Sequence, residues 1–292
     1  MRKVYFGNTD KQLWIPAPQT GMAASANARV VENQLLSGRT MVLRSQASSR
    51  RFEASWLGGL NSEDLQESLQ TIKDFFDGVY GDGPFYWVDP YANKTNLLAP
   101  HWAAPGITRS DWPEIASFAA TSFPATVTNL NNYPTQSVRY NLTSTAEVTS
   151  TRKVTLIIPS GYTLHFGWHG VVDSGDGGVR ITRYARSGGA ATNVDPAVIG
   201  VTSSNRTNTS ISGDVYSHVE IYLYKPASAS SDFTVSGMMA QILEGSNYPA
   251  AGGFISGRGT TSLEFATAPQ IEYYSANVGE GRIGMSVSWQ EV

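Results

Sequence analysis

Three stretches of this chain alternate large apolar side chains with small or polar ones so regularly that extended backbone is the conformation they suit. Tyr162, Leu164, Phe166 and Trp168 share one parity, and so do Val219, Ile221 and Leu223. Near the C-terminus Ile283, Met285, Val287 and Trp289 alternate with Gly284, Ser286, Ser288 and Gln290. Successive side chains of a strand point to opposite faces, so each run predicts a strand with one buried face. Similar runs recur at Val138–Leu142, Lys153–Ile158, Val179–Tyr184 and Phe233–Leu243, separated by Gly-, Ser- and Asn-rich turns. That spacing is the pattern of a sandwich or jelly roll. Only 15 % of residues are charged and Gly and Pro number 28 and 14, a balance that favours strands and turns over helices.

The first hundred residues carry a different pattern. Arg39–Arg44 and Arg51–Leu57 read as two strands of a hairpin across Ser45–Ser49, with Phe52, Ala54 and Trp56 on one face. One helix follows, over about Ser62 to Asp77: Leu65, Leu69, Ile72 and Phe76 recur at helical spacing, Asn61 or Ser62 can cap it, and Gly78 ends it. A glycine loop, Gly81-Asp82-Gly83-Pro84, leads into a short aromatic strand, Phe85–Val88. From Asn93 to about Pro134 prolines break up regular structure, which reads as a connector and the opening of a second domain. The polar run Ala185–Asp214 is expected as a surface loop with one short strand at Ala197–Thr202, and Ser262–Phe265, Gln270–Tyr274 and Arg282–Gln290 as closing strands. The expected fold class is therefore all-β with one helix, and a chain of 292 residues suits two domains.

Several function classes lose support at this stage. Cysteine is absent, which removes disulfides and thiolate ligands. The net charge of −3 is spread evenly: residues 1–98 carry 10 Lys and Arg against 10 Asp and Glu, residues 99–254 carry 9 against 10, and residues 255–292 carry 2 against 4. Nucleic-acid affinity comes largely from Lys and Arg neutralising phosphates, so specific nucleic-acid binding is not expected, although DNA could pass a neutral wall. No apolar run approaches the roughly 20 residues that span a bilayer, and Met1–Asp10 lacks the apolar core of an export signal. Without that signal the sequons at Asn93, Asn141, Asn205 and Asn208 carry little meaning.

The chemistry-bearing side chains are sparse. His165 and His169 fall on one face of a strand about 13 Å apart, too far to share one metal ion. Asp173-Ser174-Gly175-Asp176-Gly177-Gly178 lacks the ligand alternation of a calcium loop and reads as a hairpin turn. Asp173, Asp176 and Asp214 show no spacing that predicts a glycosidase pair. No nucleophile elbow, phosphate loop or dinucleotide fingerprint occurs, so neither an enzyme nor a bound cofactor is expected. Tyr222 and Tyr224 alternate outward from Val219, Ile221 and Leu223, and with Tyr184 they are candidate glycan contacts through their ring faces; packing against a loop or neighbouring subunit is the alternative use.

Two blocks go beyond composition. Gly81-Asp82-Gly83-Pro84-Phe85-Tyr86-Trp87-Val88-Asp89-Pro90-Tyr91, with Asn96-Leu97-Leu98-Ala99-Pro100-His101-Trp102-Ala103-Ala104-Pro105-Gly106, resembles minor tail proteins of phages that infect actinobacteria. The strands and single helix before it resemble the N-terminal module of siphophage distal tail proteins, a β-sandwich or split-barrel unit that assembles as a ring. Phe233–Ser246, followed by Asn247-Tyr248-Pro249, is similar to the closing strand of carbohydrate-binding-module-like jelly rolls in phage tails. The resemblance implies residues 1–98 with 255–292 as the ring-forming module and residues 99–254 as an inserted jelly roll, a contiguous C-terminal domain being the other arrangement. It further implies a non-enzymatic structural protein of the virion tail tip, assembled in the host cytoplasm as a hexameric ring between tail tube and hub or baseplate. The implied partners are tube, tape measure and hub proteins, with a host surface glycan as an additional one. Arg44, Arg50 and Arg51 are candidate contacts between subunits, with solvated strand charges as their other reading.

Overall fold

The computed structural model describes residues 3–18, 23–26, 30–34, 40–44, 50–56, 63–88, 91–104, 118–122, 136–200, 203–227, 230–257, 259, 262–273 and 283–292. Strands β1 (Lys3–Gly7), β2 (Gln12–Pro16), β3 (Ala23–Ala26), β4 (Val30–Gln34), β5 (Thr40–Arg44) and β6 (Arg50–Trp56) precede helix α1 (Glu63–Phe76). Strand β7 (Tyr86–Val88), the short helix α2 (Pro100–Ala103), β8 (Phe118–Ser122), β9 (Gln136–Leu142), β10 (Val148–Thr149) and β11 (Val154–Ile157) come next. Then follow β12 (Tyr162–Ser174), β13 (Gly178–Ala185), β14 (Thr192–Val194), β15 (Ile199–Gly200), β16 (Thr209–Ser212), β17 (Tyr216–Lys225) and β18 (Ser231–Glu244). The last are β19 (Leu263–Phe265), β20 (Gln270–Tyr273) and β21 (Ile283–Glu291). The fold is all-β, with α1 the one long helix among the described residues. The chain divides into two compact units, Met1–Trp87 with Ser262–Val292, and Val88–Thr261.

In the first unit the alternating faces of β6 and β21 meet. These strands pair antiparallel with Phe52 opposite Trp289 and Ala54 opposite Val287, and β3 takes the other edge of β6. Both edges of β6 are thereby used, so the hairpin expected between 39–44 and 51–57 does not form; β5 pairs with β4 instead. Phe52, Ala54, Trp56, Met285, Val287 and Trp289 all point into one core with Val4, Phe6 and Ile15. Phe6 sits at its centre, with ring centroids of Phe75, Phe85 and Trp289 within 5.4, 5.7 and 5.8 Å. Burial of each such side chain stabilises the fold by about 1.5–3 kcal/mol. Helix α1 adds Leu69, Ile72 and Phe75. The helical spacing predicted Phe76 for that stripe, but Phe76 is 40 % exposed and Phe75 fills the space beside Phe6 and Phe85. Gly78 (φ 77°) ends the helix as expected, with Gly78 N–H donating to Phe75 and Val79 N–H to Asp74, a closure that needs a left-handed residue.

The second unit holds a five-stranded sheet, β10-β17-β13-β14 with β11 also on β17, and a six-stranded sheet, β15-β12-β18-β9-β8 with β16 also on β12. Leu164, Phe166 and Trp168 on β12 and Val219, Ile221 and Leu223 on β17 are all buried. The indole of Trp168 lies against Gly178 of β13, where the sheets face one another. The connection Asp173–Gly178 was expected to turn a hairpin; it carries the chain from one sheet to the other, since β12 pairs with β15, β16 and β18 whereas β13 pairs with β14 and β17. The polar run 185–214 contains three short strands rather than one, and Ile199 and Ile211 are buried there.

The segment before α2 belongs to this unit by its hydrogen bonds. Asn96 is fully buried and its amide is saturated: Nδ2 donates to the carbonyls of Met238 (2.8 Å) and Ile255 (3.0 Å), and Oδ1 accepts from the N–H groups of Leu98 (3.2 Å) and Ala240 (3.0 Å). Leu97 N–H adds a bond to the Ala240 carbonyl. The boundaries read from the sequence at 98/99 and 254/255 accordingly fall at 87/88 and 261/262. The region from Asn93 onward, expected to be irregular, opens with this ordered stretch and the four-residue α2.

Candidate functional site

The outer face of the five-stranded sheet gathers one set of charged, polar and aromatic side chains of the second unit. In the β13–β17 register Arg180 lies opposite Tyr222, Thr182 opposite Glu220 and Tyr184 opposite His218. Asn193 of β14 lies beside Thr182, and Lys153 precedes β11, whose Val154 lies opposite Ile221. Because Val179, Ile181, Val219, Ile221 and Leu223 fill the inward parity, this polar and aromatic set takes the outward one.

The set is knitted together. Arg180 makes two bonds of 2.6 Å to the Asp195 carboxylate, and its guanidinium carbon lies 3.2 Å from the Tyr224 ring centroid. Lys153 bonds Glu220 at 2.8 Å and sits 4.9 Å from the Tyr222 centroid. The hydroxyls of Thr182 and Tyr222 are 3.0 Å apart, and Thr182 donates to Asn193 Oδ1 at 2.9 Å. Tyr184 stacks on His218 at 4.4 Å with ring planes 10° apart. Burial, with the Glu220 carboxylate beside it, pushes the Tyr184 phenol up to about 12, so it remains a neutral donor across the physiological range.

The three tyrosines singled out in the sequence therefore share one face but not one environment. Tyr222 and Tyr224 are only 8 % and 7 % exposed, each with a cation over its ring. A planar ligand reaches those rings only if Lys153 or Arg180 swings away. Tyr184 is partly exposed and already stacked, which makes it the aromatic platform of the face. Arg180, Thr182, Asn193, Asp195, Glu220 and Lys153 were not singled out beforehand. The alternation of β13 and β17 carries the signal for three of them, Arg180, Thr182 and Glu220, but the register that brings Asn193, Asp195 and Lys153 alongside is a tertiary fact.

Arg50 and Arg51 are bound within the chain. Arg50 forms a two-pronged ion pair with Glu291 of 2.7 and 2.9 Å, and Arg51 donates to Ser288 Oγ at 2.8 Å and lies 3.4 Å from Glu53. These contacts brace β6 against β21. Arg44 falls in β5, but its side chain lies outside the described residues.

His165 and His169 are both buried, on the face of β12 opposite Leu164 and Phe166. His165 Nδ1 is 3.0 Å from Ser210 Oγ, and His169 Nε2 is 2.9 Å from the Asn205 carbonyl. Burial lowers both from the ordinary imidazole value, His169 to about 4, so both rings are neutral at pH 7. Asp214 accepts from Ser160 Oγ and Gly161 N–H, which hold its carboxyl below the usual range. Among the described residues no group of three or more His, Asp or Glu side chains is arranged to hold a metal ion, and no helix is long and apolar enough to cross a membrane.

No family model matches this sequence, and no curated protein matches it. Among solved structures, the chain is similar to TmCBM61 in complex with β-1,4-galactotriose, at 13 % identity and a TM-score of 0.28, over 52 % of this chain and 99 % of that one. It is also similar to the infectious bursal disease virus Gt strain structure (12 % identity, TM-score 0.22) and to the VP2 subviral particle of that virus (11 %, TM-score 0.24). Each of these two matches covers 99 % of this chain and 80 % of the other. Likenesses this loose carry no functional weight.

Proposed function

We propose that the protein is a non-enzymatic structural component of a phage tail tip, in which the first unit forms a ring between tail tube and hub or baseplate and the second unit is carried by it. The reading rests on the Gly81–Tyr91 and Asn96–Gly106 blocks. The structural observation that supports it most directly is the pairing of β21 with β6, together with the mutual backbone bonds of Phe85 and Leu263, both 2.8 Å. Those contacts make one module from the two outer parts of the chain, with Val88–Thr261 as an insertion in sequence. In this reading the protein acts by assembly, through homotypic contacts and through tube, tape measure and hub proteins.

Mass measurement by light scattering on a sizing column, with negative-stain images of the peak, tests this reading. Sixfold rings, alone or on addition of tail-tube protein, are the expected result. A monomer at every concentration, with and without that partner, overturns it.

A second reading has its own support in the outer face of the five-stranded sheet. A flat array of preset donors and acceptors around an aromatic stack suits a neutral, hydroxyl-rich ligand such as a glycan, because Lys153 and Arg180 are already countered within the face by Glu220 and Asp195. Glycan-array binding that is saturable and lost on Tyr184→Ala supports this reading; unchanged binding in that variant removes the face from consideration.

A further inference from the structure

The outer face of the six-stranded sheet differs from the other in being covered. Two segments, 203–208 and 245–254, lie over it and are joined to each other: Gly252 N–H donates to the Ser204 carbonyl at 3.1 Å, and Arg206 donates to the Ala250 carbonyl. The cover approaches the strand closely at Gly167, where a Cβ would stand 2.5 Å from the Arg206 carbonyl oxygen and 2.8 Å from Thr207 Cα. On either side of Gly167 on that face stand the two buried histidines. His169 is bonded to the Asn205 carbonyl of the first segment, and the ring of His165 packs at 4.5 Å against Tyr248 of the second. Tyr248 itself is 57 % exposed, so one thin layer separates His165 from solvent.

We propose that residues 203–208 and 245–254 form a pH-labile cover, latched by neutral His165 and His169 and released from the sheet when the two histidines take up protons. A proton added to either ring places a cation between a sheet and a backbone layer. The hydrogen bonds that favour the protonated rings come from backbone, at Asn247 for His165 and at Asn205 and Gly237 for His169, and burial outweighs them. Among the described residues, the charged and titratable side chains on the elements that form or cover this face are Arg206 and Tyr248 on the cover, His101 on α2, Glu244 at the exposed end of β18, and Arg139 of β9 with its partner Asp232 of β18. Arg206 is itself a cation, and β16 and β18 contribute only Ser210 and Gln241 opposite His165. Opening the cover returns the imidazoles to water, so protons and opening favour one another. The released face, with His165, His169 and Gln241, would then be open to solvent on one side of an otherwise intact sandwich.

Hydrogen exchange of the full-length protein at pH 7 and pH 4.5, corrected for intrinsic exchange rates, tests the proposal. With His169 moving from 6.5 in the open form to about 4 in the closed form, opening of the cover should rise on the order of fiftyfold across that interval. Strands β13 and β17 should keep their protection. In the doubly substituted His165→Gln, His169→Gln protein the pH-dependent part should vanish; if that protein loses protection in β13 and β17, His169→Gln alone is used and should remove most of it. Equal protection of the cover at both pH values overturns the proposal, as does an undiminished pH response in a folded variant.

Discussion

The two sheets of the second unit follow the same alternation inward, Leu164, Phe166 and Trp168 on one and Val219, Ile221 and Leu223 on the other, yet they treat their outward faces in opposite ways. On the five-stranded sheet the outward face carries ions, and each is matched: Arg180 with Asp195, Lys153 with Glu220. On the six-stranded sheet the outward face around β12 is roofed by backbone and holds histidines that burial keeps uncharged, whereas Arg139 of β9, paired with Asp232 of β18, keeps 47 % of its side chain exposed. A charge is tolerated where water or a counter-ion stays close and is suppressed where neither does. The lesson is that period-two patterning identifies the face that enters the sandwich and is silent about whether the opposite face is wet.

The contrast can be broken at the roofed sheet first. Asn96→Ala leaves the buried partners of four hydrogen bonds unsatisfied, and at about 1–3 kcal/mol for each orphaned group the loss of stability should be about 4 kcal/mol or more, read from denaturant midpoints. Acid gives the next largest effect. The folded pKa of His169 lies below its unfolded value of 6.5, so the unfolded chain binds the proton more readily. The stability associated with the neutral ring is complete above pH 6.5 and declines as pH falls toward about 4, by on the order of 3 kcal/mol. Thermal melts between pH 8 and pH 4 should show that fall, and His169→Gln should flatten it.

The open sheet should respond far less. Tyr222→Phe removes the phenol from Thr182, whose hydroxyl keeps Asn193 as a partner, so about 1 kcal/mol is expected in the same denaturant measurement. Lys153→Met breaks an ion pair whose lysine side chain is 45 % exposed, and the cost should stay below about 1 kcal/mol and shrink further in high salt. If the open face proved as sensitive as the roofed one, the distinction between them would fail.

Much of the strand pattern was legible beforehand because half-buried strands carry their burial in every second residue. The readings of β17 and β21 agree with the structure to within a few residues, and Val219, Ile221, Leu223, Met285, Val287 and Trp289 of their inward faces are buried. Strand β12 was read as ending at Trp168 but continues to Ser174; the register shifts between His169 and Gly170, and a bulge there resets the alternation on which the reading depended. Phe75 and Phe76 both fall within reach of the core stripe of α1, and only the position of Phe6 and Phe85 selects between them. The expected hairpin failed for a similar reason. Neighbours in sequence compete with distant strands for the same edge, and β21, more than two hundred residues away, pairs with β6 instead.

By itself the sequence determined the all-β class, the inward face of the main strands, the helix and its glycine stop, and the scarcity of ionisable groups, since each follows from local spacing and composition. Tertiary structure alone decided the rest. It set which strands share an edge, that Asn96 belongs with β18, that cations sit on Tyr222 and Tyr224, and that His165 and His169 lie under a roof. Those outcomes depend on contacts between residues far apart in the chain. Hydrogen-bond saturation and desolvation act on the assembled neighbourhood rather than on the residue type.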